Sequence, residues 1–145
     1  MAKVSDTVEI ELGPDDAFTC VSDLSRYEDW LTIHDGWRSP LPAEDEIGKG
    51  TSVDSVIKVK GTRVRFAWTV TTFDPPRRVE LKGSGKGGVK AELTLSVAPK
   101  DAGSTVTFEI NLGGLALMGP AGKAAAKALQ KDLRESLQKF HSVFS

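Results

Sequence analysis

Within "WLTIHDGW", two indole rings, Trp30 and Trp37, flank an imidazole, His34, which is a side chain whose proton moves near neutral pH. Flat, partly apolar rings suit contact with a hydrophobic ligand, and an imidazole beside them can orient its polar end. Acid–base catalysis by His34 would call for an orienting carboxylate aimed at the same site. The sequence neighbours Glu28 and Asp35 read as solvated, so no catalytic residue is assigned. A second role stays open for the tryptophans, that of capping the core where helices meet a sheet.

The remaining reactive side chains are sparse. His141 lies one position off the apolar stripe of the last segment and reads as a boundary residue. Cys20 follows Phe18 and reads as a small buried hydrophobe. Two histidines and one cysteine without close spacing do not supply a transition-metal site, so neither metal nor cofactor is expected. "KGSGKGG" at 82–88 lacks the spacing and the Lys-Ser/Thr pair of a phosphate loop and reads as a hairpin turn.

These residues need a scaffold, and 145 residues suffice for one domain spanning 1–145. With 19 basic and 20 acidic side chains the net charge is -1, which creates no global field for nucleic acid or an anionic membrane. The chain carries no signal-peptide pattern and no apolar run of the roughly 18 to 20 residues that span a bilayer. A soluble, cytoplasmic protein without membrane insertion is therefore expected.

The opening "VSDTVEIEL" alternates apolar and polar residues as a half-wet strand does. Gly13, Pro14, Asp15 and Asp16 then start a short helix, and Ser25 with Glu28 predicts a capping box for a second. From Gly48 to Leu112, strand patterns separated by turn residues predict an antiparallel meander. Leu129, Leu133, Leu137, Phe140 and Phe144 recur at helical spacing in a long closing helix. The expected class is α+β, with the helix burying its stripe against the sheet.

Strand phase sorts the interior. Val53, Ser55, Ile57, Val59, Val64, Phe66, Trp68 and Val70 point inward, followed by Val79, Leu81, Val89, Ala91, Leu93, Leu95, Val97, Val106, Phe108, Ile110 and Leu112. Ser55, Thr51 and Thr72 are the polar members of that phase, which shows no inward carboxylate, histidine or lysine. The outward phase holds Lys58, Lys60, Arg63, Arg65, Arg78, Lys82 and Lys90, interrupted by Glu80 and Glu92. That basic stripe could meet RNA or an acidic partner, although its poverty in aromatic residues gives bases nothing to stack on and favours a solvated sheet face.

The segments "DLSRYEDWLTIH" at 23–34, "WRSPLP" at 37–42, "FDPPRRVELKGSG" at 73–85, "GGVKAEL" at 87–93, "SVAPK" at 96–100 and "RESLQKF" at 134–140 resemble the START-like helix-grip superfamily of polyketide cyclase/dehydrase and lipid transport proteins. All of these but the turn at 73–85, together with "LGG" and "GP" near 112–120, are most similar to an actinobacterial subfamily described as the toxin component of a type II toxin-antitoxin pair. The resemblance runs nearly end to end. It implies a curved sheet wrapped around the terminal helix, with a cavity between them roofed by the short helices and hairpin loops.

On that fold Trp30, Ile33, His34 and Trp37 would line or lid the entrance. Ser55, Phe66, Trp68, Leu93, Leu95, Phe108, Leu117, Met118 and Leu129 would line the interior. The resulting expectation is a protein that binds an apolar small molecule or lipid and resembles a toxin, with a cognate antitoxin as candidate protein partner. Two alternatives stand beside it: a cyclase or aromatase using Ser55, Thr72 and His34, and a surface-acting interaction module controlled by an antitoxin.

Overall fold

A computed structural model describes residues 2–39, 41, 47–59, 62–85, 88–113 and 120–144. Period-two alternation becomes β1 (Ala2–Ile10), and Pro14 at the first turn with Asp15 and Asp16 opens α1 (Pro14–Ser22). A 3₁₀ turn (Leu24–Arg26) runs into α2 (Tyr27–Trp30), and β2 (His34–Trp37) follows at once. The meander is β3 (Ser52–Val59), β4 (Thr62–Asp74), β5 (Arg78–Gly85), β6 (Val89–Lys100) and β7 (Gly103–Gly113). The chain closes with α3 (Pro120–Phe144).

The seven strands form one antiparallel sheet in the order β1-β7-β6-β5-β4-β3-β2, curled into a half-barrel. Its inner face carries the predicted apolar phase, from Val53, Phe66, Trp68 and Val70 through Leu81, Leu95 and Val97 to Val106, Phe108 and Ile110, all buried. α3 packs mainly on β1, with lesser contact to β7 and β3, and α1 packs on β6 and β7. The stripe Leu129, Leu133, Leu137 and Phe140 is buried, while Lys127, Lys131, Arg134, Glu135 and Gln138 stay exposed. Each large apolar side chain so buried contributes about 1.5–3 kcal/mol.

The structure corrects four details of the sequence reading. Ser25 does not make a capping box, because its hydroxyl donates to Asp23 Oδ1 at 2.6 Å and the Asp23 carboxylate caps the 3₁₀ turn instead. Thr72 does not point inward. A bulge between Val70 and Thr72 shifts the phase, pairing Thr72 with Glu80 and bringing Phe73 opposite the buried Val79.

The inner phase also holds more polar groups than expected. Asp6 lies opposite the inward Phe108, and its carboxylate meets Arg134 of α3 at 3.7 Å. Ser104, 1% exposed, donates to the Leu12 carbonyl at 2.7 Å. The fourth correction is β2 itself, an edge strand in a stretch whose polarity and glycine concealed it.

Candidate functional site

His34 and Trp37 come together through one irregularity. A bulge between His34 and Gly36, with Gly36 at φ +136°, sets His34 opposite Ile57 and Trp37 opposite Ser55. Residues three apart thus share the inner side of the sheet, with ring centroids 4.6 Å apart. His34 is therefore an inward histidine, which simple strand phase did not show. Tyr27 stands behind both rings, 5.8 Å from Trp37 and 6.4 Å from His34, and its hydroxyl donates to the Val21 carbonyl at 2.8 Å.

The same contacts determine what His34 can do. Burial pushes its pKa below the usual imidazole value; Asp35 opposes that shift and Arg38 adds to it. Asp35 pairs with Arg63 at 3.1 Å. The imidazole is thus neutral at pH 7 and half-buried. Trp37, also half-buried, donates its Nε1 proton to the Leu24 carbonyl at 2.9 Å, so its ring is fixed in place.

Two cross-strand rows continue inward from this edge. One runs Trp37, Ser55, Phe66, Gly85, Val89; the next runs Val53, Trp68, Gly83, Ala91, Leu112. Phe66 and Trp68 stack with centroids 5.1 Å apart and planes 29° apart. Glycine is needed beneath them: a Cβ on Gly83 would stand 2.6 Å from the Trp68 ring, and one on Gly85 3.0 Å from Phe66. Trp68 Nε1 donates to Ser55 Oγ at 2.8 Å, with both groups buried.

Trp30, Ile33, Leu95, Phe108 and Leu129 are placed differently. Trp30 is 1% exposed and meets Phe140 at 5.0 Å, Tyr27 at 5.3 Å and Phe108 at 6.0 Å, each steeply tilted. Of the two roles open to the tryptophans, Trp30 thus takes the core-capping one, and the half-buried edge belongs to His34 and Trp37. Thr32 ties the segment to α3: its N–H donates to Ser136 Oγ at 2.9 Å, and its hydroxyl donates to the Asp132 carbonyl at 3.2 Å. Leu93, at 7% exposure, lies between the two regions, whereas Leu117 and Met118 fall outside the described residues.

The outward stripe is exposed as expected at Lys58, Arg63, Arg65, Arg78, Lys82 and Lys90; Lys60 is outside the described residues. Its charge is largely matched: Arg63 pairs with Asp35, Arg65 with Asp54, Arg78 with Glu80 and Lys82 with Glu92. Beyond the two glutamates expected on the stripe itself, Asp35 of β2 and Asp54 of β3 supply acidic partners from neighbouring strands. His141 is exposed and lines an open cleft of about 450 Å³ together with Glu9, Glu11, Lys100, Asp101 and Ser104.

Tyr27, Gly83 and Gly85 join this cluster by contact, although none stood out in the sequence. The glycines had left a signal, because a glycine inside a strand pattern often marks a close approach. Among the described residues no group of three or more His, Cys, Asp and Glu side chains is placed to hold a metal ion. No described helix is long and apolar enough to cross a membrane.

Comparison with known proteins gives a consistent lineage. All 145 residues match the family model described as polyketide cyclase / dehydrase and lipid transport. A Mycobacterium tuberculosis H37Rv protein named Toxin Rv0910 is 49% identical over 145 residues, covering 100% of this chain and 99% of its own. A second protein of that strain, Rv1546, is 43% identical over 144 residues, with 99% of each chain covered. Among solved structures, a START superfamily protein from Mycobacterium smegmatis aligns with a TM-score of 0.79 at 18% identity over 100% of both chains. The protein TTHA0849 from Thermus thermophilus aligns at 0.78 and 17% identity, over 97% of this chain and 94% of that one.

Proposed function

The chain belongs to the polyketide cyclase/dehydrase and lipid transport family, and from that premise we propose that it binds an apolar small molecule on the inner face of its sheet. The stacked Phe66–Trp68 pair seated on Gly83 and Gly85 carries the reading. The two flat rings, each 4% exposed beside half-buried His34 and Trp37, would supply area and shape to a ligand that displaces their cover, with affinity from the roughly 25 cal/mol per Å² of apolar transfer. Acid–base work is less well supported, since Asp35 is engaged by Arg63 and Thr72 is turned outward to Glu80.

Native mass spectrometry of protein purified gently from its own host, followed by denaturing extraction, tests this reading. A stoichiometric apolar molecule is expected. Protein that is empty in every preparation and does not take up an added apolar probe would overturn it.

A toxin role is the second part of the proposal, and it rests on near-half identity over the whole length to a protein named as a toxin. Its partner would be an antitoxin, with cytoplasm as the compartment. The outward stripe offers this partner an alternation of paired charges rather than a bare basic field. Charge reversal at Lys58, Arg63 and Arg65 should abolish antitoxin binding while leaving binding of the apolar probe intact; unchanged antitoxin binding would remove the stripe from the interface.

A further inference from the structure

The inner face of β3 to β5 holds one polar group whose hydrogen-bonding capacity is only partly used. Ser55 is 1% exposed, and its Oγ accepts the Trp68 indole proton at 2.8 Å. A hydroxyl that accepts still has a proton to donate. The same-face neighbours of Ser55 are Val53 and Ile57 on its own strand, Phe66 on one side and Trp37 on the other. None of these side chains is an acceptor, and the Trp37 indole proton is already given to Leu24. Among the described residues Ser55 Oγ donates no hydrogen bond, and the neutral His34 imidazole, on the same inner side beside Trp37, is the acceptor-bearing side chain of this edge.

This donor stands beside the stacked rings, where the binding reading places the ligand. No lysine or arginine shares the inner face of β3 to β6 among the described residues, because those side chains occupy the outward phase. A carboxylate brought here would lose its hydration without meeting a cation. A hydrocarbon would leave the hydroxyl unsatisfied, whereas a carbonyl oxygen would complete it.

We propose that Ser55 is the polar specificity determinant of this face, donating its hydroxyl proton to the carbonyl oxygen of a neutral, planar ligand laid on Phe66 and Trp68. The Trp68 indole polarises the same hydroxyl from behind, so the two residues form a short donor chain that ends on the ligand. Planar ketones are thereby preferred over hydrocarbons of the same shape and over carboxylates. This proposal rests on the reading of the inner face as the binding site, and its test separates the two.

The test titrates the purified protein with 9-fluorenone, with fluorene, which has the same outline without the oxygen, and with fluorene-9-carboxylate. The wild type should bind fluorenone best and the carboxylate worst. In Ser55→Ala the fluorenone-to-fluorene preference should shrink about tenfold, the worth of one hydrogen bond of about 1.4 kcal/mol. The infrared carbonyl band of bound fluorenone gives a second reading in the unaltered protein. It should lie below its position in hexane, and in Ser55→Ala it should move back towards that position.

An unshifted band in the wild type, or a preference unchanged in Ser55→Ala, overturns the assignment of Ser55 while leaving an apolar site in place. Tightest binding of the carboxylate would overturn it equally. Failure of all three probes to bind overturns the inner-face site and the assignment together.

Discussion

Two groups of aromatic rings are buried almost equally, with Trp30 1% exposed and Trp68 4%, yet they are built on opposite plans. At the first, Trp30, Phe108 and Phe140 meet edge to face, with Leu95 and Leu129 sealed in the same core. Such packing leaves no flat ring surface uncovered, and each pair adds about 0.5–1.5 kcal/mol beyond its area. At the second, Phe66 and Trp68 lie nearly parallel over glycines and share a serine hydroxyl, with half-buried Val64, Gly85 and Val89 beside them. The first plan packs rings against ring edges and leaves the Trp30 Nε1 proton without a partner among the described residues, while the second stacks its rings over glycines and ties an indole to a buried serine.

Removing the ring at the closed group should have the largest effect. Trp30→Ala is expected to lose about 3–5 kcal/mol of stability in urea unfolding, while the folded fraction keeps its fluorenone affinity. A large loss of affinity with little loss of stability would reverse the comparison and return Trp30 to the entrance.

Gly83→Ala strikes the open group from below. The added methyl would have to displace the Trp68 ring, and with it the Trp68–Ser55 hydrogen bond. Overpacking of this kind costs about 1–3 kcal/mol, so stability should fall less than in Trp30→Ala. Fluorenone affinity should nevertheless fall about tenfold, as one hydrogen bond and a misplaced ring require. Stability lost without affinity would show that the glycines serve packing alone.

Between the groups, the segment from Leu31 to Ile33 is held down by the bonds of Thr32 to α3. Ser136→Ala leaves the Thr32 N–H without its acceptor and should cost about 1–2 kcal/mol, measured by thermal unfolding. Probe affinity should be unchanged, since the clamp acts on the closed group. A fall in affinity of similar size would mean that this strap also holds His34 and Trp37 in place.

How much of this was legible in the sequence follows from which forces are local. Period two placed Phe66, Trp68 and Leu95 on the inner face, and helical period placed Leu133 and Phe140, because those patterns need only one element to be read. The bulges at Asp35–Gly36 and at Thr71 could not be read so, and each changes which side a polar residue faces. That is why His34 was expected in a connecting segment and Thr72 inside. Pairing across strands was equally hidden: Asp54 meets Arg65 eleven residues away, and Asp35 meets Arg63. The separation of Trp30 from Trp37, alike in sequence and different in burial, rests on long-range packing that spacing alone does not express.

The smallest effect concerns protons at the open edge. Burial lowers the His34 pKa in the folded protein below the 6.5 of the unfolded chain. As pH falls from about 7.5 through that unfolded value, the unfolded chain takes up a proton before the folded one does, so stability must drop. The loss continues until the lowered folded pKa is passed, below which both states are protonated and the slope disappears. His34→Gln removes this titration and leaves the carboxylates, including Asp132 with its raised pKa, in both proteins. The difference between the two stability curves, measured by urea unfolding at closely spaced pH values, therefore isolates His34. Wild type should lose ground to the variant as the solution is acidified below neutrality, and fluorenone affinity should weaken only further into acid, where the lowered pKa of the folded imidazole is reached and the neutral edge acquires charge. Parallel curves would mean that the imidazole is as solvated in the fold as in the unfolded chain, and the open group would then begin at Trp37.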